Sequence, residues 1–364
     1  MISKMNIQHK HNENEALLCK DNWLQRIWNW ADAHEIPDQH WVKEPSAFYT
    51  GKRGYWQGLP RTKEQLLNVE ELALYNLRIT DLPKELGKLT RLKKLSVVSS
   101  KISRLPPEIC DLTNLEALFL DDNKLDFLPV CIGKLKNLHR LQISTNNLQL
   151  LPHAIGELIN LQFLTIDVNE LKELPPEIGD LKNLRSLDLS MNDLEYLPSE
   201  IGNLKNLESI FLGFNSISYL PTALGQLNKL AYLGISCLPE SETFFPNIPD
   251  EFPGLIYLKG LYIDSSYFSE LPETLGLLTH LETLSIEDSQ IEKLPESLGK
   301  LLNLRELRLG GNELLNSLPP SIVRLTNLEE LNLAMTPLAL SPEQIKWLET
   351  LADNDCRIGY PQVL

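Results

Sequence analysis

Between residues 181 and 203 the chain reads LKNLRSLDLSMNDLEYLPSEIGN, and its apolar positions follow neither a helical nor a strand period for long. Leu187 and Leu189 alternate, as in a short half-buried strand. Leu184 lies three residues before Leu187, Asn192 three after Leu189, and Leu194 two beyond that. Leu197-Pro198 closes the extended run, since Pro198 has no amide hydrogen to give to a sheet. Ile201 and Gly202 then begin a return leg. The unit is L-x-x-L-x-L-x-x-N-x-L-x-x-L-P-x-x-I-G-x-L, a strand followed by a turn and a leg that brings the chain back.

The unit recurs along most of the chain. Equivalent starts fall at Val69, Leu92, Leu115, Leu138, Leu161, Leu184, Leu207, Leu230, Leu258, Leu281, Leu304 and Leu328. The step is 23 residues, except for 28 before Leu258 and 24 before Leu328, which makes twelve repeats. Leu59-Pro60, 23 residues before Leu82-Pro83, marks a half repeat ahead of them. The fold class this predicts is α/β: a leucine-rich-repeat solenoid with a parallel sheet on one side and a helical cap at each end.

One such coil cannot bury its own leucines, but stacked coils share a continuous apolar interior. Each buried Leu then contributes about 1.5–3 kcal/mol. The Asn of the unit sits where the strand bends and backbone groups lose their ladder partners. An inward amide can serve those groups from coil to coil. Asn occupies the position at 123, 146, 169, 192, 215 and 312, with Ser100, Ser266, Ser289 and Thr336 as shorter substitutes. Leu77 and Leu238 offer no side-chain hydrogen bond, so the ladder is expected to weaken in the first and eighth coils.

The register divides the chain into a disordered tail (1–20), a Trp-rich N-terminal cap with the half repeat (21–66), the twelve repeats (67–340) and a C-terminal capping helix and tail (341–364). In DNWLQRIWNWADAHEIP, residues Trp23, Leu24, Ile27, Trp28 and Ala31 share one helical face, with Asp21 as N-cap. Five of the six tryptophans lie between Trp23 and Trp56; shielding of the first coil is the main reading, a ligand groove the minor one. In SPEQIKWLETLA, Ser341, Pro342 and Gln344 form a capping box, and Ile345, Leu348 and Leu351 line the apolar face with Trp347 beside it.

Charge and cysteines narrow the partners. A net charge of −15 argues against nucleic acid and against anionic membrane surfaces. The start, MISKMNIQHKHNENEALLCK, has no apolar run of a secretory leader, and no stretch is long and apolar enough to span a bilayer. Cys19, Cys110, Cys131, Cys237 and Cys356 form no C-x-x-C pair. Cys110 and Cys131 lie in successive coils but at different repeat positions, so a reducing, cytoplasmic setting is expected.

Catalytic constellations are missing from the sequence: there is no H-E-x-x-H, P-loop, G-x-S-x-G or G-x-G-x-x-G after a strand. The seven histidines are scattered, and no cofactor or metal is expected. Cys237 is the cysteine expected on the strand face, where an inert thiol is the default.

The 23-residue unit with LPxxIGxL, as in LPPEIGDLKNL (174–184) and LPSEIGNLKNL (197–207), resembles the intracellular leucine-rich repeats of plant Ras-group-related proteins. It is also similar to the animal Scribble, Erbin and Ras-suppressor repeats, and to bacterial look-alikes that include effectors. The resemblance covers residues 59–340 and implies a right-handed horseshoe with a parallel sheet on its concave side and a role in protein binding. No PDZ-type domain and no cysteine-bearing ligase domain accompanies the repeats, so neither activity carries over.

In such a sheet, residues at equal offsets form columns. The fourth position after each start reads Ala73, Ser96, Phe119, Gln142, Thr165, Asp188, Phe211, Gly234, Tyr262, Ser285, Arg308 and Asn332. Asp121, Asp167 and Asp264 recur at the sixth position, while Phe163, Phe214 and Tyr232 flank the columns. Exposed aromatics among carboxylates suit an interface hot spot for a basic partner, although neighbouring rings that cover one another would look the same. The candidate protein-binding residues are therefore Phe119, Asp121, Phe163, Asp167, Asp188, Phe211, Phe214, Tyr232, Tyr262 and Asp264. The insertion LPESETFFPN (238–247) lies beside them, and Phe244 and Phe245 are expected either to overhang the face or to fill the interior. The expected function is a monomeric, non-catalytic protein-interaction module, a signalling scaffold or a bacterial effector delivered into a host cell. The alternative is an effector enzyme, such as a thiol-dependent transferase, that uses the repeats to recognise substrate.

Overall fold

The computed structural model describes residues 22–43, 54–236, 254–265 and 269–361. The tail, Asp21, Cys237, Leu238, Phe244, Phe245 and Ser266, on which several expectations rest, lie outside them. The chain divides into two compact units, Met1–Asn146 and Asn147–Leu364.

The first unit opens with helix α1 (Asn22–Ala33) and an antiparallel hairpin of β1 (His40–Lys43) and β2 (Gly54–Gln57). Thr62 then caps the short helix α2 (Lys63–Leu67) by accepting the Gln65 N–H. Strands β3 (Glu71–Tyr75), β4 (Lys94–Val98), β5 (Ala117–Phe119) and β6 (Arg140–Gln142) follow, one per coil, paired in parallel with Leu72, Leu95, Leu118 and Leu141 in register. These four leucines are fully buried.

The cap differs from the face read in the sequence at its tryptophans, since Trp23 and Trp28 are only half-buried. Leu24, Ile27 and Ala31 are buried as expected, but Trp30 is buried rather than Trp28. Trp30 Nε1 donates to the Asp81 carbonyl at 2.9 Å, which docks the helix on the first coil. Arg61 completes the joint, donating to Asp32 and Asp38 and to the Ile36 carbonyl.

The second unit carries β7 (Phe163–Thr165), β8 (Ser186–Asp188), β9 (Ser209–Phe211), β10 (Tyr232–Gly234), β11 (Gly260–Tyr262), β12 (Thr283–Ser285), β13 (Glu306–Arg308) and β14 (Glu330–Asn332). All pair in parallel in chain order. Strands β7 to β9 and β11 to β13 each return through a short 3-10 turn such as Pro176–Asp180. Helix α3 (Pro342–Asp353) closes the unit with the capping box read in the sequence. Trp347, Leu348 and Leu351 are buried, whereas Ile345 faces outward at 39% exposure. Gln344 takes the inward place and donates to the Leu318 carbonyl. A further strand, β15 (Arg357–Gly359), pairs with β14; the sequence reading had ended at the helix.

Most inward amides behave as the repeat pattern requires, whereas Asn312 donates to the Ile286 carbonyl but its Oδ1 has no partner. Asn192 Nδ2 donates to the Ile166 carbonyl of the preceding coil at 3.0 Å, while its Oδ1 accepts the Leu171 N–H at 3.0 Å. Asn146 and Asn215 make the same pair of bonds in their coils. A second ladder was not foreseen. Asn114, Asn137, Asn183, Asn206, Asn303 and Asn327, the Asn just before each repeat's first Leu, each donate to a carbonyl one coil earlier, as Asn183 does to Ile159 at 2.8 Å. This ladder is exposed, so water competes for its partners.

The cysteines also depart from expectation. Cys110 and Cys131 form a disulfide with Cα atoms 5.9 Å apart. Cys110 stands where the repeat places Gly, and at that point neighbouring coils touch: a Cβ on Gly179 would clash with the carbonyl of Glu200. Cys131 is the residue that meets position 110, so different repeat positions are the ones in contact. The sequence comparison matched like with like and missed the pair.

Asn192→Ala is expected to cost about 1–3 kcal/mol by stranding buried backbone groups, and Asn183→Ala distinctly less because its carbonyl partner can turn to water. Urea melts of the two variants check this order; equal losses would refute it. Reduction, or the double change Cys110→Ser with Cys131→Ser, should cost about 3 kcal/mol for a loop of this length. Calorimetry with and without dithiothreitol reads that loss.

Candidate functional site

Six of the ten sequence-predicted residues cluster on the outward face of the second unit's sheet, on strands β8 to β11 and the corners that follow them. Phe211 and Tyr262 are both Cα partners of Gly234. The missing side chain there leaves room for the Phe211 ring, whose Cδ1 would be 2.9 Å from a Cβ on Gly234. Gly260 does the same for Tyr232 and Tyr262, whose ring atoms would lie 2.8 and 3.0 Å from its Cβ. The rings therefore lie across a glycine floor instead of standing on it. Phe211 and Tyr262 are half-buried as a result, and burial pushes the Tyr262 hydroxyl pKa up. Tyr232 and Phe214 stay open, at 42% and 38% exposure.

Phe214 owes its direction to the backbone. Each coil turns after its strand through a residue in the left-handed region, and Phe214 has φ 59°. Val168 and Met191 occupy the same corner in the two preceding coils, with φ 55° for both. The Met191 N–H reaches the Gly213 carbonyl at 2.7 Å and the Phe214 N–H reaches that of Ser236 at 2.6 Å. Val168, Met191 and Phe214 thus form an apolar row beside the rings, with Met191 51% exposed. The sequence reading named Phe214 alone. The signal was available as the position before each ladder Asn, but a column of mixed residues gave it no chemical label.

The carboxylates are held by backbone N–H groups. Asp188 Oδ1 accepts the Ser190 N–H at 3.0 Å, and Asp264 Oδ1 accepts the Glu287 N–H at 2.8 Å and the Ser285 hydroxyl at 2.6 Å. Burial pushes the Asp188 pKa up, opposed by the Ser190 bonds and assisted by the nearby Asp167 charge. Among the described outward positions from Phe163 to Asp288 there is no Lys or Arg. The next cation on this face, Arg308, is taken up by Glu306 and Glu330 at 2.8 and 2.7 Å.

Phe163 and Asp167 lie half-buried one coil ahead of Asp188. Phe119 and Asp121 belong to the other unit. There the Lys94 ammonium sits 5.1 Å from the Phe119 ring centre, and Asp121 Oδ1 accepts the Ser144 N–H at 2.8 Å. No group of His, Cys, Asp and Glu that could hold a metal ion occurs among the described residues. None of their helices is long and apolar enough to cross a membrane.

Stacked parallel strands, 3-10 return turns and the inward asparagine ladder define a leucine-rich-repeat solenoid. The model of the leucine-rich repeat region matches residues 63–154, 145–252 and 249–353, and the chain belongs to that family. A leucine-rich-repeat protein of Leptospira interrogans is 31% identical, with TM-score 0.55, over 82% of this chain and 86% of its own. An internalin of Listeria monocytogenes shares the fold at 20% identity and TM-score 0.65, over 86% of this chain and 92% of its own. A plant peptide hormone receptor solved with its peptide is 28% identical, with TM-score 0.50, over 79% of this chain and 56% of its own. No curated protein sequence matches. The fold is that of a protein-interaction module.

A carboxyl whose pKa is raised by folding adds stability at low pH and loses it as pH rises from the ordinary carboxylate value through the raised one. Asp188→Asn, which keeps an oxygen for Ser190, should therefore be more stable than the parent at pH 7, with the gain shrinking towards pH 3. Urea melts across that range test the sign; a gain independent of pH would refute it.

Proposed function

We propose that the protein is a non-catalytic binding module whose second unit holds a basic segment of a protein partner on the exposed face of its sheet, the concave side that the family resemblance implies. The observation that carries this reading is the pairing of open apolar side chains with a run of carboxylates. Tyr232, Phe214 and Met191 stand beside Asp167, Asp188, Asp264, Glu287 and Asp288, with no cation at the outward positions between them. Aromatic anchors beside carboxylates favour an arginine- or lysine-bearing chain, which can stack and pair at once. The plant receptor holds a peptide in its complex, which supports a peptide-like occupant by analogy. Phe163 joins the proposal as a flanking position of this site, and Phe119 and Asp121 are proposed as binding residues of the first unit's own sheet face.

The role as scaffold or delivered effector, the monomeric state and the cytoplasmic setting belong to the same proposal. The Cys110–Cys131 bond weighs against a permanently reducing compartment. Free-thiol counting on freshly isolated protein decides that point.

An exposed anchor can be removed at little cost to folding, whereas a core Phe→Ala change costs about 3–5 kcal/mol. Tyr232→Ala is therefore expected to leave the Tm unchanged and to weaken binding of a captured partner by about 2 kcal/mol or more. Phe211→Ala, half-buried over Gly234, should lower both. Paired melting and affinity measurements check this; a Tyr232→Ala protein that binds like the parent removes the proposed site.

A further inference from the structure

The hairpin of the first unit carries two tryptophans that a shield would not leave open. Trp41 and Trp56 are Cα partners across β1 and β2, their ring centres 5.5 Å apart at 74°, yet they remain 51% and 48% exposed. Below them lies a cleft of about 410 Å³, in the size range of small-ligand sites. Its other walls come from α2, which supplies Gln65, from the turn after it, which supplies Asn68 and Glu70, and from Gln39 at the start of the hairpin. Tyr55 and Glu71 stand at its rim, Tyr55 packed edge-on against Tyr75 at 4.7 Å.

The polar groups narrow the ligand. Glu70 is neutralised by Lys93 at 2.8 Å, and Asn68 is engaged by Arg91 and by the Glu64 carbonyl. Gln65 Oε1 accepts the Thr62 hydroxyl, which leaves its Nε2 to donate. Gln39 adds a second amide, able to donate and to accept. Among the described residues no Lys or Arg lines the cleft, which disfavours anions. Two rings at 74° offer one flat face and one edge instead of an enclosing cage, which disfavours a quaternary ammonium. A flat apolar face next to neutral amides matches a pyranose, whose C–H groups stack on a ring while its hydroxyls donate and accept around the rim.

We infer that this cleft is a carbohydrate-binding site for a pyranose unit of a neutral glycan, separate from the sheet face of the second unit. Trp41 or Trp56 supplies the stacking platform, and Gln39 and Gln65 read the hydroxyls.

The test uses the full chain and calorimetric titration with cellohexaose, maltohexaose and chitohexaose, with tetramethylammonium as the competing chemistry. At least one hexasaccharide should bind with a Kd below about 1 mM. Trp41→Ala and Gln39→Ala should each weaken that binding by about tenfold, equivalent to 1.4 kcal/mol. Gln39→Ala keeps the tryptophan pair, so it decides the matter if Trp41→Ala fails to fold. The inference is overturned if no hexasaccharide binds in this range, if tetramethylammonium binds in their place, or if binding survives in Gln39→Ala and in a folded Trp41→Ala.

Discussion

A coil of 23 residues has too little interior to hold itself together, and everything else follows from how one coil is tied to the next. The tie is an amide turned inward. Asn192 donates to a carbonyl of the preceding coil and accepts an N–H of that same preceding coil, so it satisfies backbone groups that the short strands leave over. A leucine in that position could fill the space but would leave those groups unpaired. The fold therefore requires a polar residue at the centre of an apolar core, which is the reverse of the usual rule for interiors.

A second constraint acts on the return legs, where the coils meet backbone to side chain. Glycine is the regular solution because any Cβ would meet the next coil's carbonyl. Cys110 breaks that rule and pays with a covalent bond to the very residue it would strike, while the turn that follows shortens to Ile132–Lys134. The first unit so substitutes a crosslink for close packing at one joint. The outer ladder, from Asn114 to Asn327, adds a weaker tie on the solvent side.

How much of this was legible depends on whether a feature repeats at one position or connects two. The period, the strands, the inward asparagines and the C-terminal capping box could be read because each recurs at a fixed offset or carries a capping signature. The disulfide and Trp30 were missed because they join unlike positions. Ile345 faced outward because Gln344, polar but bonded to the Leu318 carbonyl, took the inward place. The candidate site shows the same divide. Its aromatic columns were visible, but not the glycine floor that lays Phe211 and Tyr262 flat, nor the left-handed corner that turns Met191 and Phe214 outward.

That divide bears on where recognition can evolve in such a fold. Inward positions are claimed by packing, and the Gly and Asn positions by the joints between coils. The residues free to vary are those on the sheet's outer face, at the corners, and on the hairpin that precedes the first coil. Open apolar side chains occur there, Tyr232 and Phe214 on the sheet and its corner and Trp41 and Trp56 on the hairpin, as they do on the return side at Val130, Tyr219 and Leu277. Even the carboxylates near the rings are double-purpose, since Asp188 and Asp264 receive backbone N–H groups and still present charge. A change of partner at this face must therefore spare the oxygen that holds the chain, which makes Asn a gentler replacement than Lys for either aspartate.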